Sequence, residues 1–159
     1  MRTHVPRKGQ SAMEYLMTYG WAILIVIIVA AVLFSLGVFD PATYTTTAAV
    51  GFSGFNVPSG GFQLSSGGTL TVQMTNGVGA TIRIAGAEAV VGATKASNTS
   101  AINGQQNVAP GDTITITIPS LGTKTAGSAY TADVKINFTN INTGLDGFKT
   151  TGTLSGTVS

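Results

Sequence analysis

The chain contains, at residues 15–39, the uncharged stretch YLMTYGWAILIVIIVAAVLFSLGVF. A bilayer is spanned by about 20 apolar residues in a helix that rises about 1.5 Å per residue, so this stretch is long enough to cross one. Ile, Val and Leu fill its middle and each favours insertion, which outweighs the single carboxylate near its start, Glu14. The sequence therefore predicts one membrane-spanning helix.

The charges beside this stretch predict its orientation. Three basic residues precede it: Arg2, Arg7 and Lys8. The next basic residue is Arg83, far beyond it. Because positively charged flanks stay in the cytoplasm, we expect the N-terminus inside and the rest of the chain outside. The pair Asp40-Pro41 is expected to end the helix, since proline cannot continue its hydrogen-bond ladder.

Beyond the apolar stretch the sequence changes to that of a β-rich domain, with Thr, Ser and Gly prominent and charged residues scarce. Period-two alternation predicts strands, most clearly where Leu70, Val72 and Met74 point to one side. About seven strands are predicted, at residues 62–64, 69–75, 82–84, 88–94, 113–118, 130–139 and 148–158. Asn76-Gly77 is predicted to be a hairpin turn, and Pro110-Gly111-Asp112 a second turn.

These elements predict an α+β protein in which a long hydrophobic helix is followed by an immunoglobulin-like β-sandwich. We expect a leader over residues 1–9, the helix over 10–40, a linker leading into the sandwich over 41–61, and the sandwich over 62–159. Three aromatic side chains in the linker are expected to pack under the sandwich: Tyr44, Phe52 and Phe55.

Composition argues against several classes of function. The formal charge of +2 comes from the leader, since the remaining chain carries five basic and six acidic groups, scattered rather than gathered as nucleic-acid binding requires. The lone histidine, His4, lies in the leader, and there is no cysteine. We therefore predict no enzyme activity, no catalytic residue, no cofactor and no metal site.

Residues 7–15, which read RKGQSAMEY, join the basic leader to the apolar stretch. This motif resembles the class III signal peptide of archaeal type IV pilin-like proteins, and the resemblance covers roughly residues 7–36. It implies that a prepilin peptidase recognises Arg7, Lys8, Gly9 and Gln10, and that it cuts between Gly9 and Gln10 on the cytoplasmic side.

A cut before Gln10 leaves the apolar helix on the mature protein, whereas a secretory signal loses its apolar part. Once such a helix leaves the membrane, only neighbouring copies can bury its surface, so filament assembly is expected. The cut also creates an α-amino group at Gln10. Glu14, four residues later, is the carboxylate expected to meet this charge from an adjacent subunit and to set the axial register.

The sequence thus predicts a structural subunit of an archaeal type IV pilus, with surface attachment as its expected role. Its expected partners are the prepilin peptidase, copies of itself, other pilins in the filament and, before assembly, the membrane. It is expected in the cell membrane as a single-pass precursor and in an extracellular pilus when mature.

Three alternatives remain open. One is a cell-surface binding protein, for instance for sugars, tethered by an uncut helix. Another is an archaellum-like filament subunit, although the resemblance implies that such subunits lack a counterpart of Glu14. The third is an ordinary signal peptide cut after Gly37, which follows the small-residue rule for such cleavage.

Two sequons in the exported part are candidate N-glycan acceptors: Asn98 in Asn98-Thr99-Ser100 and Asn137 in Asn137-Phe138-Thr139. Asn137 is expected to be exposed, because it alternates with apolar neighbours in the strand predicted over 130–139.

Overall fold

The computed structural model describes residues 8–40, 44–99 and 107–159 of the chain. They belong to two compact units, one before and one after the boundary between Thr43 and Tyr44. The first is a helix and the second is β-rich, so the predicted α+β class is confirmed.

The helix α1 spans Lys8–Ser35 and ends earlier than predicted. The prediction that the helix ends at Asp40-Pro41 is wrong, because Gly37 already terminates it with a left-handed φ of 68°. The N–H of Gly37 donates to the carbonyl of Phe34 (3.1 Å) and that of Val38 to the carbonyl of Leu33 (3.2 Å). This pair of bonds is a Schellman motif, which satisfies carbonyls that the helix end would otherwise leave unpaired. Pro41 itself lies outside the described residues.

In its described part the second unit consists of nine strands in two antiparallel sheets. The larger sheet contains, from edge to edge, β1 (Ala48–Gly51), β9 (Leu145–Thr157), β8 (Ala129–Asn140), β5 (Ile82–Val91) and β6 (Thr94–Asn98). The smaller sheet is built around β4 (Leu70–Asn76), which pairs with β2 (Phe55–Asn56), β3 (Phe62–Leu64) and β7 (Thr113–Ile118).

Both sheets bury their apolar side chains in one shared core. The alternation that predicted β4 is confirmed, because Leu70, Val72 and Met74 are fully buried. The isoleucines of β7 and the even-numbered residues of β8 from Tyr130 to Phe138 are buried in the same way. Tyr130 on β8 belongs to this set, and burial raises the pKa of its phenol, while a backbone hydrogen bond with Leu64 acts in the opposite direction.

The predicted hairpin at Asn76-Gly77 is wrong. The strand before it lies in the smaller sheet and the strand after it, β5, pairs with β8 and β6 in the larger one. The Asn76 side chain is 1 % exposed and holds this crossover. Its Nδ2 donates to the carbonyls of Ala80 (2.9 Å) and Val108 (3.0 Å), and its Oδ1 accepts from the N–H of Val78 (3.0 Å). The Asn76 side chain thus forms hydrogen bonds to two separate segments of the chain and does not close a two-residue turn.

Replacing Asn76 with alanine should destabilise the β-domain by about 2–4 kcal/mol, because three hydrogen bonds disappear and the buried carbonyl of Val108 and the partly buried carbonyl of Ala80 each lose a donor. Urea unfolding of the full chain in detergent micelles measures this loss. Asn56→Ala, at an exposed strand position, is the matched control and should change stability by no more than about 0.5 kcal/mol. Equal losses in the two variants would show that Asn76 does not hold the crossover.

The strand predicted over residues 88–94 is two strands. It contains the end of β5, a turn at Gly92 and Ala93, and the first residue of β6. Gly92 has a φ of 62°, which glycine adopts at low cost, so the chain reverses without the Asn-Gly or Pro-Gly signals that mark other turns.

The predicted linker over residues 41–61 includes two strands, β1 and β2, of the β-domain. The prediction that the linker aromatics are packed is confirmed for Phe52 and Phe55, which are buried. It is wrong for Tyr44, which is exposed. The Phe52 ring lies where a side chain at Gly152 would stand, so glycine at that position makes room for it.

Candidate assembly helix and processing junction

The described chain has one helix that is long and apolar enough to cross a membrane, by length and composition. It covers Ala12–Ser35 with a mean hydropathy of 2.6, and the described residues bury none of its most apolar window. Large side chains are exposed on every side of it, including Trp21 at 70 % and Val26 at 67 %. A helix that is apolar all round is stable where lipid or other helices surround it.

The predicted processing site lies where this helix begins. Because α1 starts at Lys8, the bond between Gly9 and Gln10 belongs to its first turn. The first four N–H groups of a helix have no acceptor inside the helix, and glycine is a poor helix former, so this turn opens at low cost. Arg7, the first basic residue of the predicted recognition motif, lies outside the described residues.

Glu14 stands one helical turn beyond Gln10, on nearly the same side of α1. Its side chain is exposed, and within the described residues it has no ion-pair partner. Its backbone carbonyl accepts a hydrogen bond from Thr18 Oγ1 (2.9 Å), and the rings of Tyr15 and Tyr19 pack together beside it with centroids 4.2 Å apart. A carboxylate within an apolar surface needs a cationic partner if that surface becomes buried.

Gly37, the alternative cleavage point for a secretory signal, has a structural role that requires glycine. It occupies the left-handed position of the Schellman motif that ends α1. Sequence reasoning missed this role, although a glycine just after the last apolar residues is the usual signal for a helix end.

The two candidate glycan acceptors differ in their surroundings. Asn98 ends β6, an edge strand, and its Nδ2 donates to the carbonyl of Thr117 (2.7 Å). Ser100, the third residue of its sequon, lies outside the described residues. Asn137 lies in the middle of β8, between β5 and β9, and is half-buried rather than exposed.

Asn137 is less exposed than predicted because a strand lies on each side of it. Its register partners are Gly86 on β5 and Lys149 on β9. Its Oδ1 is buried and has no hydrogen-bond partner in the described chain. Whether either asparagine carries a glycan stays a prediction.

The carboxylates of the β-domain are held mostly at its surface. Glu88 forms an ion pair with Lys95 (3.0 Å), and Asp133 accepts a hydrogen bond from Thr153 Oγ1 (2.8 Å). Among the described residues, no three His, Cys, Asp or Glu side chains lie close enough together to hold a metal ion.

Comparison with known proteins returned no match for this chain, either among protein-family models or among curated sequences.

Proposed function

We propose that this chain is the precursor of a structural subunit in an extracellular filament of the archaeal type IV pilus kind. The observation that carries the proposal is the 24-residue apolar helix, which begins just after the Gly9-Gln10 bond and whose most apolar window is not buried by any of the described residues. The basic, glycine and glutamine residues before it support processing by a prepilin peptidase.

Retention of the helix determines what the mature protein does. A span of 24 residues is about 36 Å long, enough to cross the hydrocarbon core of a bilayer. Once out of the lipid, an exposed isoleucine or leucine side chain costs about 1.5–3 kcal/mol relative to a buried one. Because many such side chains line α1, the helix passes from lipid directly to the helices of neighbouring copies.

Glu14 supplies the register of this packing. Cleavage gives Gln10 a positively charged α-amino group, and Glu14 is the carboxylate that lies within the apolar surface of α1. Pairing Glu14 of one copy with the amine of the next brings the helices to one axial stagger. The gain lies chiefly in this specificity, since desolvation offsets much of the attraction between buried charges.

The β-domain forms the exported surface of the filament in this proposal. Two features of the domain support that role. It has its own hydrophobic core, and its stability does not depend on disulfide bonds because the chain contains no cysteine. A folded domain joined to a polymerising helix presents its outer faces to the medium, where attachment takes place.

Glu14→Gln tests the proposal directly. We expect normal removal of the leader but at least about a tenfold loss of filaments. Removing the carboxylate leaves the buried α-amino charge of Gln10 without a partner, which should cost more than about 1.4 kcal/mol at each subunit contact. Electron microscopy and immunoblotting of sheared material measure filament yield, and mass spectrometry of membranes measures processing. Asp40→Asn removes a carboxylate beyond the end of α1 and should leave yield unchanged. Filaments of normal abundance from Glu14→Gln cells would contradict the assigned register.

A further inference from the structure

The outer surface of the smaller sheet carries an uncharged set of hydrogen-bonding side chains. Strands β3, β4 and β7 alternate buried apolar residues with residues that point outward. We name the outward set the threonine–glutamine face, defined by Gln63, Thr71, Gln73, Thr75, Thr113, Thr115 and Thr117. No charged residue occurs among the outward positions of these three strands.

The strand register arranges this face in rows. Gln63, Thr71 and Thr117 are cross-strand neighbours, as are Gln73 and Thr115. Neighbouring strands lie about 4.8 Å apart, and successive outward residues along a strand about 6.7 Å apart. The result is a grid of hydroxyl and amide groups on a shared plane.

Several side chains of this face have unused hydrogen-bond donors and acceptors. In the described chain the side chains of Gln73, Thr113 and Thr115 make no hydrogen bond, and all three are exposed. Gln63 is oriented by one bond, from its Nε2 to Ser159 Oγ (2.7 Å). Each amide and hydroxyl both donates and accepts, so the face is matched to a partner that also does both.

A gap in the grid creates a shallow, open cavity of about 250 Å³. Gly60 and Gly61 stand beside Gln73 and Thr115, where the row has no further side chain. A Cβ at Gly61 would lie 2.8 Å from the ring of Pro58, so a larger residue does not fit there without a shift. The floor of the cavity is therefore backbone, framed by amide and hydroxyl side chains.

The larger sheet differs in its outer surface. It carries most of the ionisable groups of the β-domain, among them Arg83, Glu88, Asp133, Lys135 and Lys149. A phosphate-bearing or anionic partner would prefer cations such as these, which the threonine–glutamine face lacks. That face also lacks the aromatic, Met and Arg anchors that dominate contacts between proteins.

From these observations we infer that the threonine–glutamine face binds a neutral glycan chain. Its hydroxyls and amides pair with sugar hydroxyls, its threonine methyl groups contact the apolar C–H edges of the sugar rings, and the cavity at Gly60 and Gly61 receives one sugar unit. This inference concerns the β-domain alone and goes beyond filament assembly, because it would hold equally for a subunit that remains in the membrane.

The test uses the full chain in micelles of a detergent without a sugar headgroup. NMR spectra of the Asn and Gln side-chain amides are recorded while maltohexaose, laminarihexaose or mannohexaose is added, with oligogalacturonate as a charged probe. We expect at least one neutral hexasaccharide to shift the amide signals of Gln63 and Gln73, and oligogalacturonate to shift neither.

Two exposed substitutions locate the binding surface. Thr115→Val keeps the methyl group and the strand preference but removes the hydroxyl, and Gln73→Leu removes the amide. Each should weaken binding about tenfold. Thr151→Val, on the outer face of the larger sheet, is the matched control and should bind like the unmodified chain.

Three results would overturn the inference. The first is that none of the neutral hexasaccharides shifts the Gln63 and Gln73 amides. The second is that Thr151→Val weakens binding as much as Thr115→Val. The third is that the same amides shift with protein concentration alone, which would assign the face to a second copy. None of them bears on filament formation, so this test and the Glu14→Gln test fail independently.

Discussion

Replacing Gly9 with valine should leave the precursor uncut and the cells without filaments containing it. The cut is expected between Gly9 and Gln10, in the first turn of α1. A β-branched side chain at the position before the cut crowds the scissile carbonyl, which a peptidase has to approach closely. We expect processing to fall at least about 100-fold, which corresponds to about 3 kcal/mol in the barrier to cleavage.

Mass spectrometry of the membrane fraction measures this result, because uncut protein keeps the nine leader residues. Gly20→Val is the matched control. It makes the same exchange within α1, where nothing lies within 4 Å of the added Cβ, and it should still be cut. If Gly9→Val protein were cut before Gln10 at the normal rate, the assigned processing site would be wrong.

The largest loss of stability is expected from Gly68→Ala. Gly68 lies in the turn between β3 and β4, with a φ of 78° and its N–H bonded to the carbonyl of Ser65. An added Cβ would meet the backbone carbonyl group of Gly122, which cannot move aside as a flexible side chain can. Left-handed strain and this overlap together should cost about 3–5 kcal/mol.

Gly79→Ala separates these two causes. Gly79 has a φ of 80°, nearly that of Gly68, but nothing lies within 4 Å of its added Cβ. It should therefore lose only about 1–2 kcal/mol, the cost of the backbone conformation. Urea unfolding in micelles, followed by the near-ultraviolet circular dichroism of the tyrosines, measures both. Equal stability of the two variants would contradict the close approach of the Gly68 and Gly122 backbones.

Local patterns predicted most of the secondary structure because most strands of the β-domain have one buried face. Leu70, Val72 and Met74 alternate with polar residues, and this alternation is a consequence of the pleat. The apolar stretch was equally clear, since its composition alone exceeds what a bilayer-spanning helix requires.

Pairing between strands was predicted less well, because it depends on contacts that are distant in the sequence. Asn76-Gly77 carries a strong hairpin signal, yet Val108, more than thirty residues away, accepts a hydrogen bond from the Asn76 side chain. Local turn chemistry does not reveal such a partner. The tertiary contact outweighs the local preference for a hairpin, so the chain continues into the larger sheet.

The same distinction between local and long-range features applies to the candidate sites. The processing motif and Glu14 are contiguous in the sequence, so they were found there. The threonine–glutamine face was missed, because its members come from three strands that the register brings together, such as Thr115 opposite Gln73. The alternation TITITI over 113–118 marked a strand, but its outward partners could be named only once the pairing was known.

The intact mass of protein sheared from the cell surface tests most directly whether the apolar helix is retained and assembled. We predict a filament fraction that contains this chain beginning at Gln10, with its whole apolar helix retained and any glycan visible as added mass. A secreted product that begins beyond Gly37, or a chain that stays in the membrane and never enters a sheared filament, would contradict it.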